Sequence, residues 1–174
     1  MSIATKRGDG GQTSLVGGTI DELIPQMGFA RSVCHDVEIR ERVKALQRDL
    51  YKVGSAIATP PESKNAAPEI AAEIVDALDA EVHRIEADPG VLADWSLPGE
   101  LPDAAAIDVR RTISRRAGRL ATALMEAGAL DNPHILAYPN RLSDLFGRSI
   151  EERQGALSTV RTADTSGPRW SRPW

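Results

Sequence analysis

The chain has 174 residues, 41% of them hydrophobic, enough for one globular domain with a packed core and too many for a disordered chain. Lys and Arg number 21 against 25 Asp and Glu, a net charge of −4, so global charge gives no pull toward nucleic acid or an anionic membrane. The single cysteine, Cys34, excludes an internal disulfide and a Cys-rich zinc site. Aromatics are only 4%, so the core is aliphatic, which suits packed helices better than a sheet sandwich. No apolar run approaches the roughly 20 residues of a membrane span, and the first residues lack the apolar core of a secretory signal. A soluble cytoplasmic protein is the expectation.

Residues 5–18 read TKRGDGGQTSLVGG, with five glycines, and predict a loop. Ile20, Leu23, Ile24 and Met27 then repeat at steps of three and four, although Pro25 and Gly28 interrupt a helical reading. Ile39, Val43, Leu46, Leu50, Val53 and Ile57 form an apolar stripe along a helix of about six turns, which Pro60 and Pro61 end. Pro68 suits the first turn of a third helix, with Ile70, Ile74, Leu78, Val82 and Ile85 on its buried face. Residues 89–102 are rich in proline and glycine and hold Trp95 in a loop. Pro102 or Asp103 starts a fourth helix with apolar positions Val109, Ile113, Ala117, Leu120 and Leu124, closed by Gly128 as its cap. Asp131-Asn132-Pro133 signals the start of a fifth, carrying Leu142, Leu145, Phe146, Ile150 and Leu157, with Pro139 kinking or delaying its start. The fold class is all-α, a five-helix bundle. The organisation is a Gly-rich leader (1–18), the bundle (19–162) and a flexible tail (163–174) that includes Trp170 and Trp174.

Three stretches carry chemistry. In the leader, Gly8, Gly10 and Gly11 let backbone N–H groups converge on an anion. Lys6 adds charge there, Thr5 and Thr13 add hydroxyls, and Asp9 can reach a magnesium ion through water. No P-loop spacing is present, and composition alone also fits a flexible N-terminal arm. The fourth helix packs Arg110, Arg111, Arg115, Arg116 and Arg119 into ten residues, with Arg111, Arg115 and Arg119 on one face. Like charges at that spacing repel, so carboxylates, a partner subunit or a phosphate chain should lie opposite; a solvated basic face is the alternative. Asn140, in Asn140-Arg141-Leu142-Ser143-Asp144, carries an amide able to read an adenine edge, or it serves as an N-cap or in an early-helix polar cluster. His35, His83 and His134 do not converge in spacing, and Asp76, Asp79 and Glu81 read as a solvated acidic face.

In this order the stretches resemble the PduO-type ATP:cob(I)alamin adenosyltransferases. The leader is similar to the family's T-[RK]-x-G-D-x-G-x-T, residues 111–119 to its A-R-x-x-x-R-R-A-E-R helix, and residues 140–144 match its N-R-L-S-D. Residues 19–23, 58–60 and 97–99 sit where the family has x-V-D-E-L-N, L-A-T-P and L-P-G-G. The resemblance implies transfer of the 5′-deoxyadenosyl group of ATP to a corrinoid cobalt, with ATP, Mg²⁺ and cobalamin as the small molecules. It also implies a homotrimer with active sites between subunits, and a reductase or a cobalamin-dependent enzyme as further partners. Thr5, Lys6, Gly8, Asp9, Gly10, Gly11 and Thr13 would form the triphosphate strip, joined by Arg115, Arg116, Arg119 and Asn140. Arg111 would pair with Asp21 across the subunit interface, and Trp95 would lie beneath the corrin, keeping a lower axial ligand from cobalt.

The sequence also departs from that pattern. An insert usual between Gly18 and Thr19 is missing, Gly118 stands for the glutamate of R-R-A-E-R, Ile24 for an asparagine and Asp108 for a histidine, and Pro139 precedes Asn140. These departures motivate a rival expectation, a non-catalytic corrinoid- or nucleotide-binding paralogue on the same scaffold.

Overall fold

The computed structural model describes residues 15–59, 64–87 and 99–154, and every regular element among them is an α-helix. These are α1 (Leu15–Val33), α2 (Val37–Ala58), α3 (Glu73–Glu86), α4 (Pro102–Glu126) and α5 (Pro133–Gln154). α4 is the centre: it packs against α5 and α1, α2 lies on α1, and α3 lies on α5. The expected five-helix, all-α architecture is therefore observed.

Each helix follows from its apolar spacing and its ends. In α1, Ile20, Leu23, Ile24, Met27 and Ala30 make one buried face. Pro25 sits on the exposed side, where the missing N–H costs least, and the helix runs through it. α1 begins at Leu15, so the last four residues of the stretch read as a loop are helical. Asp36 caps α2, accepting from the backbone N–H groups of Glu38 (2.9 Å) and Ile39 (3.1 Å). Gly54 lets α1 approach closely, since a Cβ there would lie 3.3 Å from Ile20. The stripe from Ile39 to Ile57 faces the core as expected, with Val43, Leu50 and Val53 fully inside.

α3 starts later than proline placement suggested. Pro68 lies ahead of the helix, which begins at Glu73. The reason is a distant competitor: Asn132 Nδ2 donates to the Ile70 carbonyl at 3.0 Å, holding that segment outside the helix while Ile70 stays buried. Asn132 also accepts from His134 N–H at 2.9 Å and so caps α5, with Pro133 in the first helical position. α5 is not delayed by Pro139; it starts at Pro133 and carries the proline inside. Gly128 (φ +68°) closes α4: its N–H reaches Met125 O and the Ala129 N–H reaches Leu124 O, each at 2.9 Å, the paired bonds of a Schellman cap.

The stripe on α4 needs one correction. Val109 is 48% exposed, and the buried position in that turn belongs to Arg110, at 1%. The acidic face of α3 is likewise not merely solvated. Asp79 meets Arg141 of α5 at 2.6 Å, and Glu81 meets Arg42 of α2 and Arg84. Between α2, α3, α4 and α5 lies an apolar cleft of about 270 Å³, lined by Leu46, Leu78, Ile107, Arg110 and Phe146 among others.

Candidate functional site

α4 distributes its arginines by angle. Arg110 points inward, stacks on the Phe146 ring at 5.1 Å and donates from Nε to the Ala106 carbonyl at 3.2 Å. Its Nη1 has no hydrogen-bond partner among the described residues, and burial pushes its pKa down to about 10. Arg110 is therefore a core residue. Periodicity could have found it, because it lies three before Ile113 and seven before Ala117.

The other four point outward or sideways. Arg111 donates from Nε to Asp108 at 2.7 Å, one turn back on its own helix, and its stem lies over Gly147 of α5. Within one chain its partner is thus Asp108, while Asp21 is exposed on α1. Arg116 pairs with Glu22 of α1, the residue beside Asp21. Arg115 and Arg119 are exposed, and neither makes an ion pair among the described residues. They remain the uncompensated positive charges of the run.

Asn140 joins this surface from α5. It is exposed and lies seven residues beyond Pro133, so it is no N-cap; that role belongs to Asn132. Its side chain rests on Gly118, where an added Cβ would fall 2.6 Å from Asn140 Oδ1. Arg115 lies one turn before Gly118 and neighbours it along α4, while Arg119 shares the face of Arg115, about a quarter turn round the helix from Gly118. A buried bond fixes the helices there: Ser114 Oγ donates to the Pro139 carbonyl at 2.7 Å. Ser114 was missed because nothing local marks a mid-helix serine as interhelical.

Thr5, Lys6, Gly8, Asp9, Gly10, Gly11, Thr13 and Trp95 lie outside the described residues, as do Trp170 and Trp174. Cys34 is buried, as a small core residue should be. Among the described residues no group of three His, Cys, Asp or Glu side chains could hold a metal ion.

An exposed pair of arginines beside an asparagine amide suits a phosphate chain and a base edge. Comparison with known proteins gives that pattern a family. The family model described as cobalamin adenosyltransferase matches residues 3–147. The chain belongs to the cobalamin adenosyltransferase family. Similar relatives include the corrinoid adenosyltransferase of Citrobacter freundii, 32% identical over 167 residues, covering 86% of this chain and 94% of that protein. The corrinoid adenosyltransferase of Bacillus subtilis (strain 168) is 31% identical, with 89% of each chain covered. Among solved structures, a variant PduO-type ATP:corrinoid adenosyltransferase from Lactobacillus reuteri, complexed with cobalamin and ATP, matches with a TM-score of 0.76. Its identity is 27%, over 88% of this chain and 94% of that one. Another variant, complexed with ATP, matches with a TM-score of 0.75 at 26% identity. This member of the cobalamin adenosyltransferase family keeps the arginine helix in its central α4.

Proposed function

We propose that this chain transfers the 5′-deoxyadenosyl group of ATP to the cobalt of cob(I)alamin, releasing triphosphate and forming adenosylcobalamin. The family match over residues 3–147 carries the reading. The surface of α4 supports it: Arg115 and Arg119 stand exposed without ion pairs among the described residues, beside Asn140. Cobalt(I) supplies the electron pair, the Co–C5′ bond forms, and the C5′–O bond breaks with its pair leaving on triphosphate. The protein's share is positioning and charge stabilisation, and no protein base is required. Arg115 and Arg119, with Arg116, would neutralise the departing triphosphate, Asn140 would meet the adenine, and the glycine strip ahead of α1 would cradle the phosphates.

The finer assignments belong to the same proposal. The site lies between subunits of a trimer, where Arg111 exchanges Asp108 for the Asp21 of a neighbouring copy, and Trp95 fills the space beneath the corrin. Residues 1–18 would act as the nucleotide-binding leader, 19–162 as the bundle and 163–174 as the tail. Mg²⁺ would travel on the phosphate oxygens, with Asp9 reaching it through water. A cytoplasmic location belongs to the same proposal; no described helix is long and apolar enough to cross a membrane. A reductase would supply the electron, and a cobalamin-dependent enzyme would take the product.

The test is an anaerobic absorbance assay with chemically reduced cobalamin and ATP. Growth of the adenosylcobalamin spectrum is expected. A static spectrum with measurable corrinoid or nucleotide binding by calorimetry would replace this reading with the binding-paralogue one, which the missing insert after Gly18 motivates.

A further inference from the structure

Gly118 is a glycine in the middle of a 25-residue helix, where glycine costs about 1 kcal/mol relative to alanine. Two physical reasons can retain it: a backbone that needs positive φ, or a space that no Cβ can enter. The first does not hold, because the positive-φ glycines among the described residues are Gly99 and Gly128. The second does. A Cβ at 118 would stand 2.6 Å from Asn140 Oδ1, 3.6 Å from Asn140 Cγ and 4.0 Å from Pro139 Cβ. The first distance is inside van der Waals contact, so the side chain and a Cβ cannot both keep these places.

The neighbours explain why the approach is so close. Ser114 lies one turn before Gly118 and Pro139 directly before Asn140, and their 2.7 Å hydrogen bond clamps the two helices at this level. Ser114, Ala117, Gly118 and Ala121 are small and buried, so the backbone of α4 comes up to α5. Asn140 itself makes no side-chain hydrogen bond among the described residues, so what holds its amide is shape. Its donor and acceptor are left for a ligand, with Arg115 one turn before the seat on α4.

We propose that Gly118 is a positioning residue: its bare backbone is the seat that fixes the Asn140 amide for the base of the nucleotide. The inference rests on the nucleotide-site reading above. It recasts the lost glutamate of the R-R-A-E-R pattern as a gain, because the volume vacated at 118 is occupied by Asn140.

The test is a double-mutant cycle in the full-length protein with Gly118→Ala, Asn140→Ala and the pair, reading ATP Kd by calorimetry, KM for ATP and for cobalamin, kcat and Tm. Gly118→Ala should raise the Kd and KM for ATP about tenfold, the loss of roughly one hydrogen bond, with the KM for cobalamin unchanged and Tm equal or higher. Asn140→Ala should weaken ATP to the same degree, and the double variant should be no worse than Asn140→Ala alone. Wild-type ATP binding by Gly118→Ala, or an equal loss from it in the Asn140→Ala background, overturns the proposal. Should Gly118→Ala fail to fold, the double variant should fold, because it lacks the clash; failure of both overturns the seat as well. A wild-type protein that neither binds ATP nor turns over would overturn the functional reading instead, and the cycle in Tm would still report whether residues 118 and 140 touch.

Discussion

The Ser114 hydroxyl donates to the Pro139 carbonyl at 2.7 Å inside the α4–α5 interface. Ser114 is fully buried, so its hydroxyl has no water to fall back on. Ser114→Ala should cost about 1 kcal/mol, a drop of roughly 2–4 °C in Tm for a domain of this size. Calorimetric unfolding measures it, and an unchanged Tm would mean the bond contributes nothing.

Arg115 and Arg119 hold no ion pair within the described chain, so stability should not depend on them. Arg115→Ala and Arg119→Ala should each leave Tm within about 1 °C while ATP Kd rises between roughly tenfold and a hundredfold. Arg115→Lys should recover only part of the loss, because an ammonium cannot form the two-pronged contact. Wild-type affinity in both alanine variants would remove α4 from the phosphate site.

Arg116 and Glu22 pair across α4 and α1 with each side chain 46% exposed. A pair that open contributes at most about 1 kcal/mol. Arg116→Ala should therefore lower stability slightly in dilute buffer, and the difference should shrink in 1 M salt, where screening is nearly complete. A salt-independent loss above that size would point to packing rather than charge.

Arg110 is buried, stacked on Phe146 and short of one hydrogen bond. Desolvation brings its pKa from the ordinary arginine value down to about 10, partly offset by Cys34 and Asp103 nearby. The sign follows: the group is charged in both states at neutral pH, folding bears the cost throughout, and relief begins only as pH climbs past about 10. Arg110→Met keeps the volume and drops the charge, so its stability should match or exceed wild type, by up to about 3 kcal/mol. Arg110→Ala enlarges the adjoining cleft and should be destabilised by about 2–4 kcal/mol. Denaturant unfolding of the two variants at pH 7 separates volume from charge.

Tyr138 is fully buried, and its hydroxyl has no partner among the described residues. Burial pushes the phenol above its ordinary range, so it stays neutral at every working pH. Tyr138→Phe should leave stability unchanged or raise it by about 1 kcal/mol. A loss of that size would instead reveal a bound water on the hydroxyl.

Where periodicity and local chemistry agree, the sequence was enough. The stripe from Ile39 to Ile57, the Gly128 cap and the Asn132-Pro133 start are each decided within a few residues, and each is observed. Long-range competition was invisible. Nothing near Pro68 announces that a side chain 62 residues beyond Ile70 takes its carbonyl and shifts the start of α3. Residue type also misled on α4: valine at 109 looks apolar and arginine at 110 looks wet, yet angle decides, and the arginine goes inside. In the site, the order of the arginines and Asn140 was legible. That Asn140 lies against a missing side chain was not, because an interhelix distance has no local signature.

The short third helix buries Val75, Leu78 and Ile85 in the core and is ringed by ion pairs. Asp79 to Arg141, Glu81 to Arg42, Arg84 to Glu152 and Glu86 to Arg148 link it to α2 and α5, and every partner is partly open to solvent. Ionic strength is thus a dial on the rim of a single element: in brine the outer turns of α3 should exchange their amide protons somewhat sooner, while its apolar face and the dry contact of α4 with α5 stay shut.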